Sequence, residues 1–233
     1  MKLTERQYEI LNILKEEGKI SVAELVERLF VCDMTIRRDL ARLEHLRLIK
    51  RYRGGALLLD NAPLKLPIEM RMHLNDEEKR ALAKMAEKYI SDEQMIFLDS
   101  SSTCSYLIPF LKKHKNITVV TNSISTLLKL AEAGIQSIST GGRYYDTDMC
   151  FIGEETIDAI RNYRFDVAFF STLSCDKDKR TFYDDDIHQT MVRRAATDQA
   201  AKNIFLIDNS KVNTAVGRYL VCKAELVHNI LFI

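Results

Sequence analysis

The sequence predicts an α/β protein in two parts: an N-terminal winged helix-turn-helix joined to a larger, mostly parallel α/β domain. Three observations carry that prediction. Three short amphipathic segments crowd the first 47 residues and lead into an alternating apolar–basic stretch closed by Gly54-Gly55. From residue 76 onward, short β-rich runs alternate with helical periods, the pattern of a parallel sheet flanked by helices. Between them, residues 58–75 carry Pro63 and Pro67 and no clear period, which reads as a linker. The expected parts are therefore 1–57, a linker over 58–75, and 76–233.

In the first part, Thr4-Glu5-Arg6-Gln7 is a capping-box pattern, followed by Ile10, Leu11 and Leu14 on one stripe and a stop at Gly18. Ser21-Val22-Ala23-Glu24 repeats the pattern, with Val22, Leu25, Val26 and Leu29 on the buried side. The third segment, 34–46, sets Ile36, Leu40 and Leu43 toward the core, with Asp33 as the expected cap beside Cys32. Arg38, Ala41, Arg42 and His45 then face outward, flanked by Thr35 and Arg37. Only Phe30 to Asp33 separates the second and third segments, the short connection of a helix-turn-helix. Residues 48–56 read as a hairpin wing whose Lys50, Arg51 and Arg53 reach a nucleic-acid backbone.

In the larger part, Asn75 is expected to cap a helix reaching Ile90. Strands are expected at 95–98, 118–121, 136–139, 167–170, 204–208 and 226–233, with helices at 104–114, 125–133, 154–162 and 190–202. Ligands of such sheets sit beyond the carboxyl ends of the strands. The loops expected there offer hydroxyls, amides and cations to an anion: Asp99 with Ser100, Ser101, Ser102 and Thr103; Thr121, Asn122 and Ser123; Gly141, Gly142 and Arg143; and Lys211. Phe165, Phe169, Phe170 and Tyr183 are expected to fill core. Asp184, Asp185 and Asp186 with His188 are adjacent acids that converge poorly on one ion, so no metal site and no cofactor are expected.

Composition narrows the function classes. Of 233 residues, 46% are apolar and 29% charged, enough for a sizeable core. Five scattered cysteines without a C-x-x-C argue for reduced thiols rather than disulfides or zinc. No apolar run approaches the ~20 residues of a membrane span. The N-terminus is charged from Lys2, unlike a secretory leader, so a cytoplasmic location is expected. The formal net charge of +1 conceals a basic block: residues 33–55 hold seven Lys/Arg, Arg47 among them, against three acids. A local polyanion site is the direct implication.

The run Thr35-Ile36-Arg37-Arg38-Asp39-Leu40, then Leu43 and Glu44, then Arg51-Tyr52-Arg53-Gly54-Gly55-Ala56, resembles the signature of DeoR-type bacterial transcriptional regulators. Phe97-Leu98-Asp99-Ser100, Val119 to Ser123, Gly141-Gly142, Phe151-Ile152-Gly153 and Asp208 to Lys211 extend the resemblance through the larger part. The resemblance implies a domain similar to ribose-5-phosphate isomerase and glucosamine-6-phosphate deaminase that senses a phosphorylated sugar or related metabolite. It implies operator DNA as partner, at least a homodimer, and a role as repressor of carbohydrate genes rather than as an enzyme. Effector contacts are then implied at Ser100 to Thr103, Thr121 to Ser123, Lys211 and Asp176. Ser171 to Ser174 stand where the family has a glycine-bearing loop, and Met191 with Arg193 where it commonly has Glu and Lys. The alternative is a sugar-phosphate isomerase or deaminase with an accessory DNA-binding head, using Asp99, Asp176 or Asp184 to Asp186 as acid–base groups.

Overall fold

A computed structural model describes residues 3–46, 48–58, 68–72, 74–214, 216–222 and 224–233. Arg47 and most of the expected linker, including Pro63 and Pro67, lie outside the described residues. The chain divides into two compact units, Met1–Leu74 and Asn75–Ile233.

The smaller unit contains α1 (Glu5–Glu17), β1 (Lys19–Ser21), α2 (Val22–Leu29), α3 (Asp33–His45), β2 (Ile49–Tyr52), β3 (Gly55–Leu58) and a single turn, α4 (Ile68–Arg71). Both capping boxes form: Thr4 accepts from the Gln7 amide and Ser21 from the Glu24 amide, and each partner side chain bonds back. β1 joins the wing, giving the antiparallel order β1-β3-β2. The turn between β2 and β3 needs both glycines. Gly54 has φ +100°, and a Cβ on Gly55 would meet the Ile20 carbonyl oxygen at 2.4 Å. Ile10, Leu14, Leu25, Ile36, Leu40, Leu43, Ile49 and Ala56 close one small core.

In the larger unit, α5 (Asp76–Ala86) continues as a 3-10 turn to Tyr89 and leads to β4 (Met95–Leu98). Then follow α6 (Ile108–Leu111), β5 (Thr118–Thr121), α7 (Ile124–Glu132), β6 (Ser137–Ser139), β7 (Arg143–Tyr145), β8 (Cys150–Ile152) and α8 (Glu154–Arg161). The chain ends through β9 (Val167–Phe170), β10 (Ser174–Asp176), β11 (Thr181–Asp184), α9 (Ile187–Gln199), β12 (Asn203–Ile207), β13 (Tyr219–Leu220) and β14 (Asn229–Phe232). Six of these strands form one parallel sheet in the order β14-β12-β9-β4-β5-β6.

Alternation sends Ile96, Leu98, Val119, Phe169 and Leu206 to one face, and Phe97, Val120, Phe170, Phe205 and Ile207 to the other. Both faces are buried through β12, β9, β4 and β5, which is why those strands are apolar apart from Asn203 and the threonines that end β5; the edge strand β6 is Ser137-Ile138-Ser139. α5, α6 and α7 contribute to the first layer, and α8 and α9 to the second. Phe182 stacks on Phe205 at 3.9 Å between ring centroids and extends the second layer.

Several boundaries differ from expectation for local reasons. The helix expected over 104–114 is a 3-10 turn, Cys104–Leu107, followed by the short α6. Pro109 lies in the first turn of α6 and has no amide to extend a longer helix backward. α9 starts at Ile187 rather than Thr190, because Asp186 caps it through the Gln189 amide at 2.8 Å. α3 starts at Asp33 with Cys32 as its cap residue; Asp33 instead pairs with Arg37. Asn75 takes a left-handed conformation, φ 53°, and its side chain makes no cap bond. Phe165, Phe169 and Phe170 are buried as expected, whereas Tyr183 is only half-buried.

Candidate functional site

The third helix separates its two tasks by face. Ile36, Leu40 and Leu43 are buried, and so is Asp39, whose carboxylate accepts from Arg6 Nε at 2.6 Å and Gln7 Nε2 at 2.7 Å. Asp39 therefore fastens α3 to α1 and has no outward role. Arg37, Arg38 and His45 are exposed, and Thr35 and Arg42 are half-buried. Thr35 Oγ1 lies 3.2 Å from Cys32 Sγ. Arg37 Nε meets Asp33 at 2.5 Å, and Arg51 donates its Nε to Glu44 at 2.7 Å and its amide to the same carboxylate at 3.0 Å. On the wing, Lys50 and Arg53 are exposed beside Arg51. Exposed ion pairs of this kind are worth about 0–1 kcal/mol, so a phosphate can replace the carboxylate on Arg37 or Arg51.

In the larger unit the sheet order reverses between β4 and β9: the earlier strands run outward on one side and the later ones on the other. The crevice beyond the carboxyl ends of two such strands is the usual ligand position. Here β4 ends in Asp99 and Ser100 to Thr103, and β9 ends in Ser171. Lys211, which follows β12, reaches both loops. Its ammonium donates to Ser171 Oγ at 2.8 Å and to Thr103 Oγ1 at 3.4 Å, and pairs with Asp208 at 2.9 Å. Burial alone would raise the Asp208 carboxyl, but Lys211 and Ser210 hold it below its ordinary value. Asn75 donates to Asp208 Oδ1 at 3.4 Å and to Ser210 Oγ at 3.3 Å, so the first residue of this unit is tied to the lysine's counter-ion.

Beneath the loops runs an ionic network that inspection of the sequence missed. Arg193, 2% exposed, donates Nε to Asp99 at 3.1 Å and a terminal nitrogen to Asp184 at 2.6 Å. Burial opposes its charge, and Asp99, Asp184 and Asp148 more than compensate, so the guanidinium stays protonated. Asp99 also accepts from the Ser171 amide at 3.3 Å. One turn earlier on α9, Gln189 accepts from Ser100 Oγ at 3.1 Å and donates to Asp148 at 2.7 Å. Ser101 Oγ takes the Cys104 amide at 3.3 Å, and the Cys104 thiol is pushed up by burial.

One strand further on, Thr121 Oγ1 donates to the Leu98 carbonyl at 2.7 Å, and Ser123 caps α7. Asn122 is buried, with its amide on the Phe151 carbonyl at 3.0 Å and its Oδ1 without a protein partner. Among the described residues, the remaining candidates make no hydrogen bond or ion pair with Lys211. Gly142 has φ +115°, and a Cβ there would strike Thr156 Oγ1 at 2.1 Å; Thr156 donates to the Gly141 carbonyl, so this glycine pair serves the packing of α8. Arg143 lines a pocket of about 380 Å³ with Glu154, His188 and Met191. Asp176 pairs with Lys179 at 3.0 Å and lines a different pocket, also about 380 Å³, with Tyr183 and Asn213. Both residues sit on side hairpins, β7–β8 and β10–β11, outside the parallel sheet.

Residues 6–62 match the DeoR-like helix-turn-helix domain, and residues 74–231 match the DeoR C terminal sensor domain. The chain is 31% identical to the glycerol-3-phosphate regulon repressor of Escherichia coli over 212 residues, 91% of this chain and 83% of that protein. It is 32% identical to the lactose phosphotransferase system repressor of Lactococcus lactis, over 88% of this chain and 82% of that protein. Among solved structures, ribose 5 phosphate isomerase A from Neisseria gonorrhoeae is similar at a TM-score of 0.44 and 17% identity, covering 61% of this chain and 55% of the other. That likeness is too distant to carry chemistry across.

Proposed function

The chain belongs to the DeoR family of transcriptional regulators, and from that premise we propose that it represses carbohydrate-metabolism genes under the control of a phosphorylated sugar or related metabolite. The head is 1–57, the linker 58–75 and the sensor 76–233. Arg38, Lys50 and Arg53 are the primary operator contacts, with Thr35, Arg37, Arg42 and Arg51 beside them. Arginine on the outward face of α3 can bond a guanine edge, and the wing cations fit phosphates. Two half-sites require two heads, so the working form is at least a homodimer, acting in the cytoplasm on DNA.

The observation that carries the sensor reading is the meeting of Lys211 with Thr103 and Ser171 at the point where the sheet order reverses. The phosphate is assigned to Ser100 to Thr103, Ser171 and Lys211, with Thr121 to Ser123 alongside. Gly141, Gly142, Arg143 and Asp176 have no part in that cluster. The chain is not an enzyme on this reading. Three of the acids that catalysis would need are taken up by the fold: Asp99 and Asp184 hold the buried Arg193, and Asp186 caps α9.

Operator titrations with matched pairs test the proposal: ribose 5-phosphate against ribose, and glycerol 3-phosphate against glycerol. At least one phosphorylated member should shift operator affinity through a coupling of ~1–3 kcal/mol, and its free counterpart should not. A stronger shift from the free compounds overturns the phosphate assignment, and turnover of a sugar phosphate at enzymatic rates overturns the non-enzyme reading. Arg38→Ala should weaken operator binding by ~1–3 kcal/mol while leaving the sensor's affinity for phosphorylated compounds unchanged, measured by fluorescence anisotropy and calorimetry.

A further inference from the structure

α2 ends on Phe30, whose backbone lies in the left-handed region at φ 53°. A bulky side chain is strained there and glycine is not. The ring gains no burial in return, being 93% exposed. Met34, in the first turn of α3, is 81% exposed and stands one turn before the exposed Arg38 on the same face. Two exposed apolar side chains thus flank the start of α3, and the N-terminal residues of a recognition helix are those that meet base edges. They belong to a stretch, 33–55 with its preceding turn, in which Lys and Arg outnumber acids by seven to three. An apolar pair set among cations fits a polyanion that displays apolar groups between its phosphates. In the major groove of duplex DNA that group is the C5-methyl of thymine.

We propose that Phe30, supported by Met34, is a specificity-determining contact that packs against thymine methyl groups at the edge of each half-site. The inference rests on the DNA-binding reading above and adds a base preference to it.

The test begins with a duplex enriched from a random pool by the wild-type full-length chain. Each thymine of that duplex is replaced in turn by deoxyuridine, which removes only the methyl group. At one or two positions the replacement should weaken wild-type binding by about three- to fivefold, the factor that burying one methyl-sized group supplies. Phe30→Gly should bind the parent duplex more weakly by a similar factor and be indifferent to the same replacement. Phe30→Gly should also raise the thermal midpoint, since it relieves the left-handed strain, so its weaker binding does not reflect misfolding. Parent-duplex affinity equal to wild type in Phe30→Gly overturns the inference, as does an equal loss on the thymine and uracil duplexes. Unchanged affinity with reduced self-association in sedimentation assigns the ring to a second copy and also overturns it. If Arg38→Ala weakens binding and Phe30→Gly does not, this inference falls and the DNA-binding reading stands. If the wild type enriches no sequence, the two fall together.

Discussion

Arg193→Met should destabilise the larger unit by about 3–5 kcal/mol, the usual consequence of removing one partner from a buried charge cluster. The guanidinium is the shared counter-charge of Asp99 and Asp184, each 1% exposed at the side chain. Without it, two carboxylates face each other out of water with no cation between them. At roughly 2–4 °C per kcal/mol for a chain of this size, the thermal midpoint should fall by about 6–20 °C. Methionine keeps most of the volume, so the loss reports charge rather than a cavity. The triple variant Arg193→Met, Asp99→Asn, Asp184→Asn should recover much of the loss, because neutral amides carry no such repulsion. A fall of less than about 1 kcal/mol in the single variant, by chemical denaturation, would show that water enters the network and that it is not the clamp described here.

Lys211→Met should weaken the response to phosphorylated ligands by about 10- to 100-fold, the worth of one charge-assisted contact of ~1.5–3 kcal/mol. In the free protein the ammonium is already held by Asp208, Ser171 and Thr103. A dianionic ligand therefore gains only the difference between its own bonds and those it displaces. Removing the lysine also strands Asp208, which is buried, so the single variant loses stability as well as affinity. Lys211→Met with Asp208→Asn separates the two effects: folding should recover and ligand response should not. Ligand affinity restored in the double variant would mean that Lys211 acts only as the partner of Asp208, and the phosphate would have to be placed elsewhere.

The legible parts of this protein were those whose signals are local. Two capping boxes and an i, i+4, i+7 stripe fix α1, α2 and the inward face of α3, since each pattern closes within about two turns of chain. The central parallel strands β4, β9 and β12 were equally plain, because burial on both faces leaves them almost wholly apolar. β7, β8, β10, β11 and β13 escaped notice for the opposite reason. They are two to four residues long, too short for alternation to show, and β11 pairs in addition with β13 far along the chain. The same holds for the site. Ser100 to Thr103 and Lys211 stood out because each follows a strong strand, and the strand-end rule brought them into one cluster. Arg143 and Asp176 also follow strands, but they ride on hairpins that the rule does not govern. Gln189 and Arg193 carried a signal that was overlooked. They sit one turn apart on the stripe of α9 that Val192 and Ala196 make apolar, and charge in an apolar stripe implies a buried counter-charge.

The division of α3 into two faces also bears on how such a protein changes over generations. Among the described residues, the Asp39 side chain bonds Arg6 and Gln7 of α1, and Ile36, Leu40 and Leu43 lie in the core. Substitution at 38 or 45 leaves every one of those contacts in place, and surface replacements of this kind usually alter stability by less than about 0.5 kcal/mol. A lineage can therefore drift from one operator sequence to another without passing through an unfolded intermediate. Duplicated copies can part company in what they read long before they differ in how they fold.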